Sequence, residues 1–284
     1  MKHRHSSLGG QAAAETRPEA GAKQAASSFV TPPYAIREVP FDAPWSWLAA
    51  GWHDMWRVPR VSLAYGAIFA VAGFLLAFGL TQVGLQSLIL VLAAGFILVG
   101  PMIAVGLYEA SRRLEKSEPV NLASTLRAGS FGWGQLAYMG LLLMLIYLAW
   151  VEIALLLFML FLGPAAAPPL EAFVPILLLT RPGLGLLIVG TAVGAALAAT
   201  IFAVSAVAVP LLMVERVDVV TAALTSVRAC RQNPKAMALW AALIAGSMLF
   251  SFATLFFGLV VAFPLIGHAT WHAFRDLIER GDES

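Results

Sequence analysis

Long apolar runs, separated by short polar stretches, set the rhythm of this chain. Residues 61–80 form one uncharged run, and 85–108 follows after the polar, glycine-containing turn Thr81-Gln82-Val83-Gly84. Further runs occupy 136–162, broken only by Glu152, then 184–213, and finally 236–266 without a charge. A helix needs about 20 apolar residues to cross a hydrocarbon core, so these runs predict transmembrane helices. They are far longer than the roughly 9–11 residues of a barrel strand and do not alternate polar with apolar.

Two segments read differently. Residues 1–40 carry Ala, Ser, Gly, Gln and Pro with scattered charges and no sustained apolar run, which predicts a disordered cytoplasmic tail. No apolar core follows Met1-Lys2-His3-Arg4, so no cleavable signal peptide is expected. Residues 41–58 hold four tryptophans, Trp45, Trp47, Trp52 and Trp56, with Asp42 placed to cap a helix and Pro44 in its first turn. Trp45, Leu48, Trp52, Met55 and Trp56 share one face, while Ser46, His53, Asp54 and Arg57 lie elsewhere. Indole favours the headgroup region, so this segment predicts a short interfacial helix lying on the bilayer. Residues 59–280 then form the transmembrane domain and 281–284 a C-terminal tail.

Composition confirms the class and narrows the chemistry. Sixty per cent of the 284 residues are hydrophobic and 12% are charged, against roughly 25% charged in a soluble domain, which excludes a water-soluble globule. The single cysteine, Cys230, excludes an internal disulfide framework. A net charge of +2 gives no reason to expect a nucleic-acid partner.

Every lysine and arginine except Arg181 can lie on one side of the membrane if both termini are cytoplasmic. That condition requires an even number of crossings, yet five runs are present. An internal repeat bears on the count. Val99-Gly100-Pro101-Met102-Ile103, Val209-Pro210-Leu211-Leu212 and Phe263-Pro264-Leu265-Ile266 end three runs alike. Ser124-Thr125-Leu126-Arg127-Ala128 and Thr225-Ser226-Val227-Arg228-Ala229 precede two of the upstrokes, within amphipathic segments 121–128 and 221–229. The expected fold is therefore an all-α polytopic transmembrane bundle of six spans in three hairpins, with 236–266 split near Gly246–Ser251. Five spans, with 236–266 as one tilted helix, is the alternative.

The last third carries a resemblance. Val209-Pro210-Leu211-Leu212, Val219-Val220-Thr221-Ala222, Asn233-Pro234, Trp240 and above all Gly267-His268-Ala269-Thr270-Trp271-His272 resemble an uncharacterised bacterial family of integral membrane proteins, known as a domain of unknown function. The resemblance extends over about residues 40 to 280. It implies a multi-span protein of the bacterial inner membrane and brings no activity, cofactor or site residue with it.

Few residues could carry chemistry. Glu152 is the only charge inside any run; a carboxylate in hydrocarbon is costly and normally faces a bundle interior or a water cavity. It reads as a proton or cation site, as a polar contact to Thr191, Thr200 or Ser205, or as a group near the outer interface, and it is expected to point inward. His268 and His272, four apart, share a helix face and could offer two metal ligands, short of a complete shell. The spacing does not suit both axial positions of one haem, and anchoring or hydrogen bonding is the plainer use. Gly190, Gly194 and Ala198 form a small-residue face suited to close helix packing. No phosphate loop, nucleophile elbow or dinucleotide fingerprint is present.

The sequence thus points to a non-enzymatic scaffold or assembly partner, without cofactor or bound metal. A small-solute or ion transporter using Glu152 is the first alternative, and a metal- or haem-binding protein using His268 and His272 the second. The lipid bilayer is the expected partner, a membrane-protein partner is compatible with it, and the oligomeric state is left open.

Overall fold

The computed structural model describes residues 34–85, 88–128, 134–163 and 170–279. In chain order these form β1 (Ala35–Ile36), α1 (Ala43–Arg57), α2 (Pro59–Gln82), α3 (Leu88–Ile103), α4 (Val105–Glu115), α5 (Leu122–Arg127) and α6 (Gln135–Leu162). They continue with α7 (Leu170–Leu179), α8 (Arg181–Ser205), α9 (Ala208–Val214), α10 (Val219–Gln232), α11 (Pro234–Ala253), α12 (Leu259–Leu277) and β2 (Ile278–Glu279). The architecture is an all-α polytopic bundle. Five helical stretches are long and apolar enough to cross a membrane: Pro59–Gln82, Val91–Glu115, Gln135–Leu162, Arg181–Val214 and Pro234–Ala253. Two of them run through breaks, at Ala104 between α3 and α4 and at Ala206–Val207 between α8 and α9. The second break lies four residues before Pro210, where a proline ring would collide with a helical carbonyl.

The run 236–266 does divide into two helices, but at Thr254–Gly258 rather than near Gly246–Ser251. Ser247 and Ser251 are content inside α11, since each hydroxyl donates to the carbonyl four residues back at 2.7 Å. The turn forms where Leu255 (φ 52°) and Phe256 (φ 71°) take left-handed conformations and Thr254 Oγ1 accepts the Gly258 N–H. After this turn α12 runs back antiparallel to α2. Gly73 packs under the Phe256 ring, Gly66 under the backbone of Leu259 and Val260, and Ser62 reaches His268. Further along α12, Gly51 meets Ala269 and Trp47 bonds Asp276. Thus α12 is flanked by α2 along its first half and by α1 along its second.

Besides the tryptophan face expected to meet the bilayer, α1 has a second face packed against the bundle. Its buried face is Ala43, Trp47, Gly51, Asp54 and Met55, and its exposed face carries Trp45, Trp52 and Trp56. Met55, expected beside the exposed tryptophans, and Asp54, expected on a polar face, are both buried. Gly51 is the reason: a Cβ there would stand 2.6 Å from the Ala269 amide nitrogen, so only glycine lets the two backbones approach.

The basal end of the bundle, where α1 and the end of α12 meet, is closed by α4, α5, α9 and α10. Leu107 of α4 packs on Gly267, and the Ser226 hydroxyl of α10 accepts the Val207 N–H at the α8–α9 break. The segments 121–128 and 221–229 are helical, as α5 and α10. Asn121 caps α5 and Asp218 caps α10 through their side chains. Residues 34–40, expected within a disordered tail, are instead a strap across this end. β1 pairs antiparallel with β2, Arg37 N–H donates to the Leu277 carbonyl (2.9 Å), and Asn233 holds the strap twice. Its Oδ1 accepts the Val39 N–H at 2.8 Å and its Nδ2 donates to the Arg37 carbonyl at 3.1 Å. The rest of the expected tail, 1–33, and the C-terminal residues 281–284 lie outside the described residues.

On the other flank α6 packs antiparallel to α8, with Trp150 over Gly194 and Phe161 over Gly185, and Tyr147 against Gly95 of α3. Gly194 and Ala198 of the expected small-residue face are therefore in packing contacts, while Gly190 faces open space. Between α6 and α8 lies the short apolar helix α7.

Candidate functional site

Four helices meet around one histidine. His268, on α12, is fully buried. Its Nε2 lies 2.9 Å from Ser62 Oγ of α2, and its Nδ1 lies 2.8 Å from Ser111 Oγ of α4. Ser111 Oγ is also 2.8 Å from Asp54 Oδ2 of α1, and the same carboxylate oxygen is 2.8 Å from His272 Nε2, one turn further along α12. Ser62 and Ser111 are fully buried and Asp54 nearly so, while His272 remains about one-third exposed.

The donors can be assigned by elimination. A carboxylate only accepts, so the single Ser111 hydroxyl proton goes to Asp54. Ser111 Oγ must then accept from His268, which makes Nδ1 the protonated nitrogen and Nε2 the acceptor of the Ser62 hydroxyl. His272 Nε2–H donates to Asp54. The result is one directed chain, Ser62 to His268 to Ser111 to Asp54, with His272 arriving from the solvent side. Burial by itself pushes the Asp54 carboxyl up, but hydrogen bonds from His272 and Ser111 and the nearby imidazoles outweigh it and hold the group below the usual aspartate range.

Charged and aromatic groups brace the surroundings. Trp47 Nε1–H donates to Asp276 at 3.0 Å, and Trp271 Nε1–H donates to Glu115 at 3.1 Å. Glu115 also pairs with Arg275 at 2.8 Å. Glu109 accepts from both Arg112 and Arg113 on its own helix.

The arrangement ties helices together. Ser62 and His268 resemble a nucleophile and its base, but a nucleophile needs access and Ser62 has none. As a metal site the pair His268–His272 is poorly suited, because both ring nitrogens of His268 are occupied by serine hydroxyls. Among the described residues no group of three or more His, Cys, Asp or Glu is arranged to hold a metal ion.

Sequence reading found the two histidines and missed Asp54, Ser62 and Ser111. A signal for Asp54 existed: it lies three residues after Gly51, hence on the same face as the one position that admits a close neighbour. Ser62 and Ser111 carried none, since a serine in a transmembrane helix commonly bonds its own backbone.

Glu152 stands elsewhere. It is exposed on the outer face of α6, and no described residue pairs with it, which corrects the expectation that it points inward. The turn position explains this: Trp150, two residues earlier, turns inward to Gly194 and to the Val91 carbonyl, so Glu152 falls on the opposite side. The hydroxyls once matched to it are taken, Thr200 by the Ala196 carbonyl and Ser205 by that of Ile201.

Fold and site together define a polytopic α-helical integral membrane protein whose basal end is locked by a buried polar chain. Residues 88–214, from α3 through α9, match the family described as predicted integral membrane protein (DUF2189), a domain of unknown function. The match is narrower than the resemblance read over residues 40 to 280: it includes Ser111 and Glu152 but not Asp54, Ser62 or the Gly267–His272 run. No curated protein and no solved structure gives a match.

Proposed function

We propose that this protein is a non-enzymatic scaffold of the bacterial inner membrane that docks a second membrane protein on the outer face of α6. The observation that carries the reading is the setting of Glu152. Leu141, Leu145, Leu148, Leu156 and Met159 are exposed on the same face, at spacings of three and four, with Glu152 in their line. Gln135 anchors the start of α6 at the basal end by accepting the Val219 N–H at 3.0 Å. Glu152 lies about 25 Å further along, within reach of a hydrocarbon core about 30 Å thick. A carboxylate there costs about 2.5–3.5 kcal/mol at the centre of the core and less towards its edge. A partner helix bearing a basic or hydrogen-bond-donating side chain at that depth relieves the cost and fixes the register.

Transport has less support. Glu152 is exposed on the outer face of α6, and the hydroxyls of Thr200, Ser205, Ser247 and Ser251 are spent on their own helices. The basal end is assigned to the cytoplasm, with both termini, because Arg57, Arg60, Arg112, Arg113, Lys235 and Arg275 lie at that end and Arg181 at the other.

The test is photocrosslinking in cells, with a benzophenone amino acid at Leu148 on the face or at Val71, exposed on α2. A discrete cross-linked protein band from position 148, absent from 71 and lost in the Glu152→Leu background, is the expected result. No protein band at 148, or one indifferent to Glu152→Leu, overturns the reading.

A further inference from the structure

We infer that the crevice between α2 and α3 is a binding site for one phospholipid acyl chain, drawn from the leaflet away from the basal end. The two helices are joined by only a few residues yet splay apart. Near mid-membrane they are held by an aromatic cluster in which Phe263 lies 5.3 Å from Phe69 and 5.7 Å from Phe96, ring centre to ring centre. Beyond this floor opens a cavity of about 230 Å³, walled by Gly73, Leu76 and Leu80 of α2, Leu92 and Ala93 of α3, and the ring of Phe256 from the strained turn.

Three features select the occupant. Every lining side chain is apolar, so water would find none of the two to four polar partners it needs to settle there. The wall from Phe69 to Leu80 covers twelve residues, about 16 Å of helix, which matches one leaflet, half of a core about 30 Å thick. The space also exists because Ala72, Ala77 and Ala93 are small where a filled helix pair would carry larger side chains. A single extended hydrocarbon chain entering from the far leaflet meets all three. The site shares no residue with the buried polar chain or with the α6 face, so it stands whether or not the scaffold reading holds.

The experiment uses the full-length protein, extracted in mild detergent, exchanged into a delipidating one, and weighed by native mass spectrometry. The parent should retain one phospholipid. Ala93→Phe, which fills the crevice, should lose it, while Ala195→Phe, on the exposed face of α8, should keep it. Ala77→Leu provides a milder filling variant should Ala93→Phe fail to accumulate. In bilayers containing a chain-spin-labelled phosphatidylcholine, the motionally restricted component should fall in the filled variants alone. Equal retention by parent and filled variants, or no retained lipid in the parent, overturns the inference. A retained molecule with the mass and ultraviolet absorbance of an isoprenoid quinone overturns the assignment to phospholipid.

Discussion

Ser62 Oγ and His268 Nε2 lie 2.9 Å apart although 206 residues separate them in the chain. The bond joins the first turn of α2 to the middle of α12, and through Ser111 and Asp54 it extends to α4 and α1. Such a chain is worth most when complete, because each buried member left without a partner retains its full desolvation penalty. The basal end therefore behaves as a unit, and its members should be sensitive to one another.

Ser111→Ala should be the most damaging of the serine changes. It strips one bond from the Asp54 carboxylate and leaves the His268 Nδ1–H without an acceptor, whereas Ser62→Ala orphans only Nε2. Each unsatisfied buried group costs about 1–3 kcal/mol. Detergent melting temperatures should rank parent above Ser62→Ala above Ser111→Ala. Equal melting of all three would remove the directed chain.

Acid should loosen the same end. The folded-state pKa of Asp54 is below its unfolded value of about 3.9. Its contribution is present above the unfolded value and is lost as pH falls through the folded one. Melting temperature should hold between pH 7 and about pH 5 and decline below about pH 4. In Asp54→Asn the decline should be shallower, with a lower plateau at neutral pH. Parallel curves for parent and variant would contradict this.

The strap sets where the chain can be shortened. A protein beginning at Tyr34 should melt with the parent, since residues 1–33 lack the apolar content to pack. One beginning at Phe41 should melt lower, having lost the β1–β2 pair and both Asn233 bonds. Asn233→Ala should reproduce about 1–3 kcal/mol of that loss. Truncation at Phe41 without effect on melting would refute the strap.

Two glycines should part company. Gly51→Ala places a Cβ 2.6 Å from the Ala269 backbone and should separate α1 from α12, with loss of the Asp54–His272 contact. Gly190→Ala meets open space and should be neutral or gain about 0.5–1 kcal/mol from reduced backbone entropy. Melting of the two variants beside the parent checks both signs at once.

Glu152→Leu should stabilise the isolated protein in detergent, or leave it unchanged, because the carboxylate has no described partner within this chain. The gain is bounded by the insertion cost of about 2.5–3.5 kcal/mol. A clear fall in melting temperature would show that α6 has its polar contact inside the bundle after all.

The sequence by itself determined the membrane class and the positions of the long apolar helices, because these follow from composition over windows of about 20 residues, and its local repeat favoured two helices in the last run without locating the turn between them. It also marked His268 and His272, since two histidines one turn apart stand out in any apolar context. Tertiary structure decided the rest. The face of α1 that is buried was settled by Gly51 meeting Ala269, a close approach between segments far apart in sequence. The side of α6 that holds Glu152 was settled by Trp150 filling the space above Gly194. Whether a serine bonds its own helix, as Ser247 and Ser251 do, or a distant histidine, as Ser62 and Ser111 do, depends on what the neighbouring helix presents at the same height. Local pattern carries no record of that neighbour, because a helix's periodicity reports which residues share a face and not which face the fold covers.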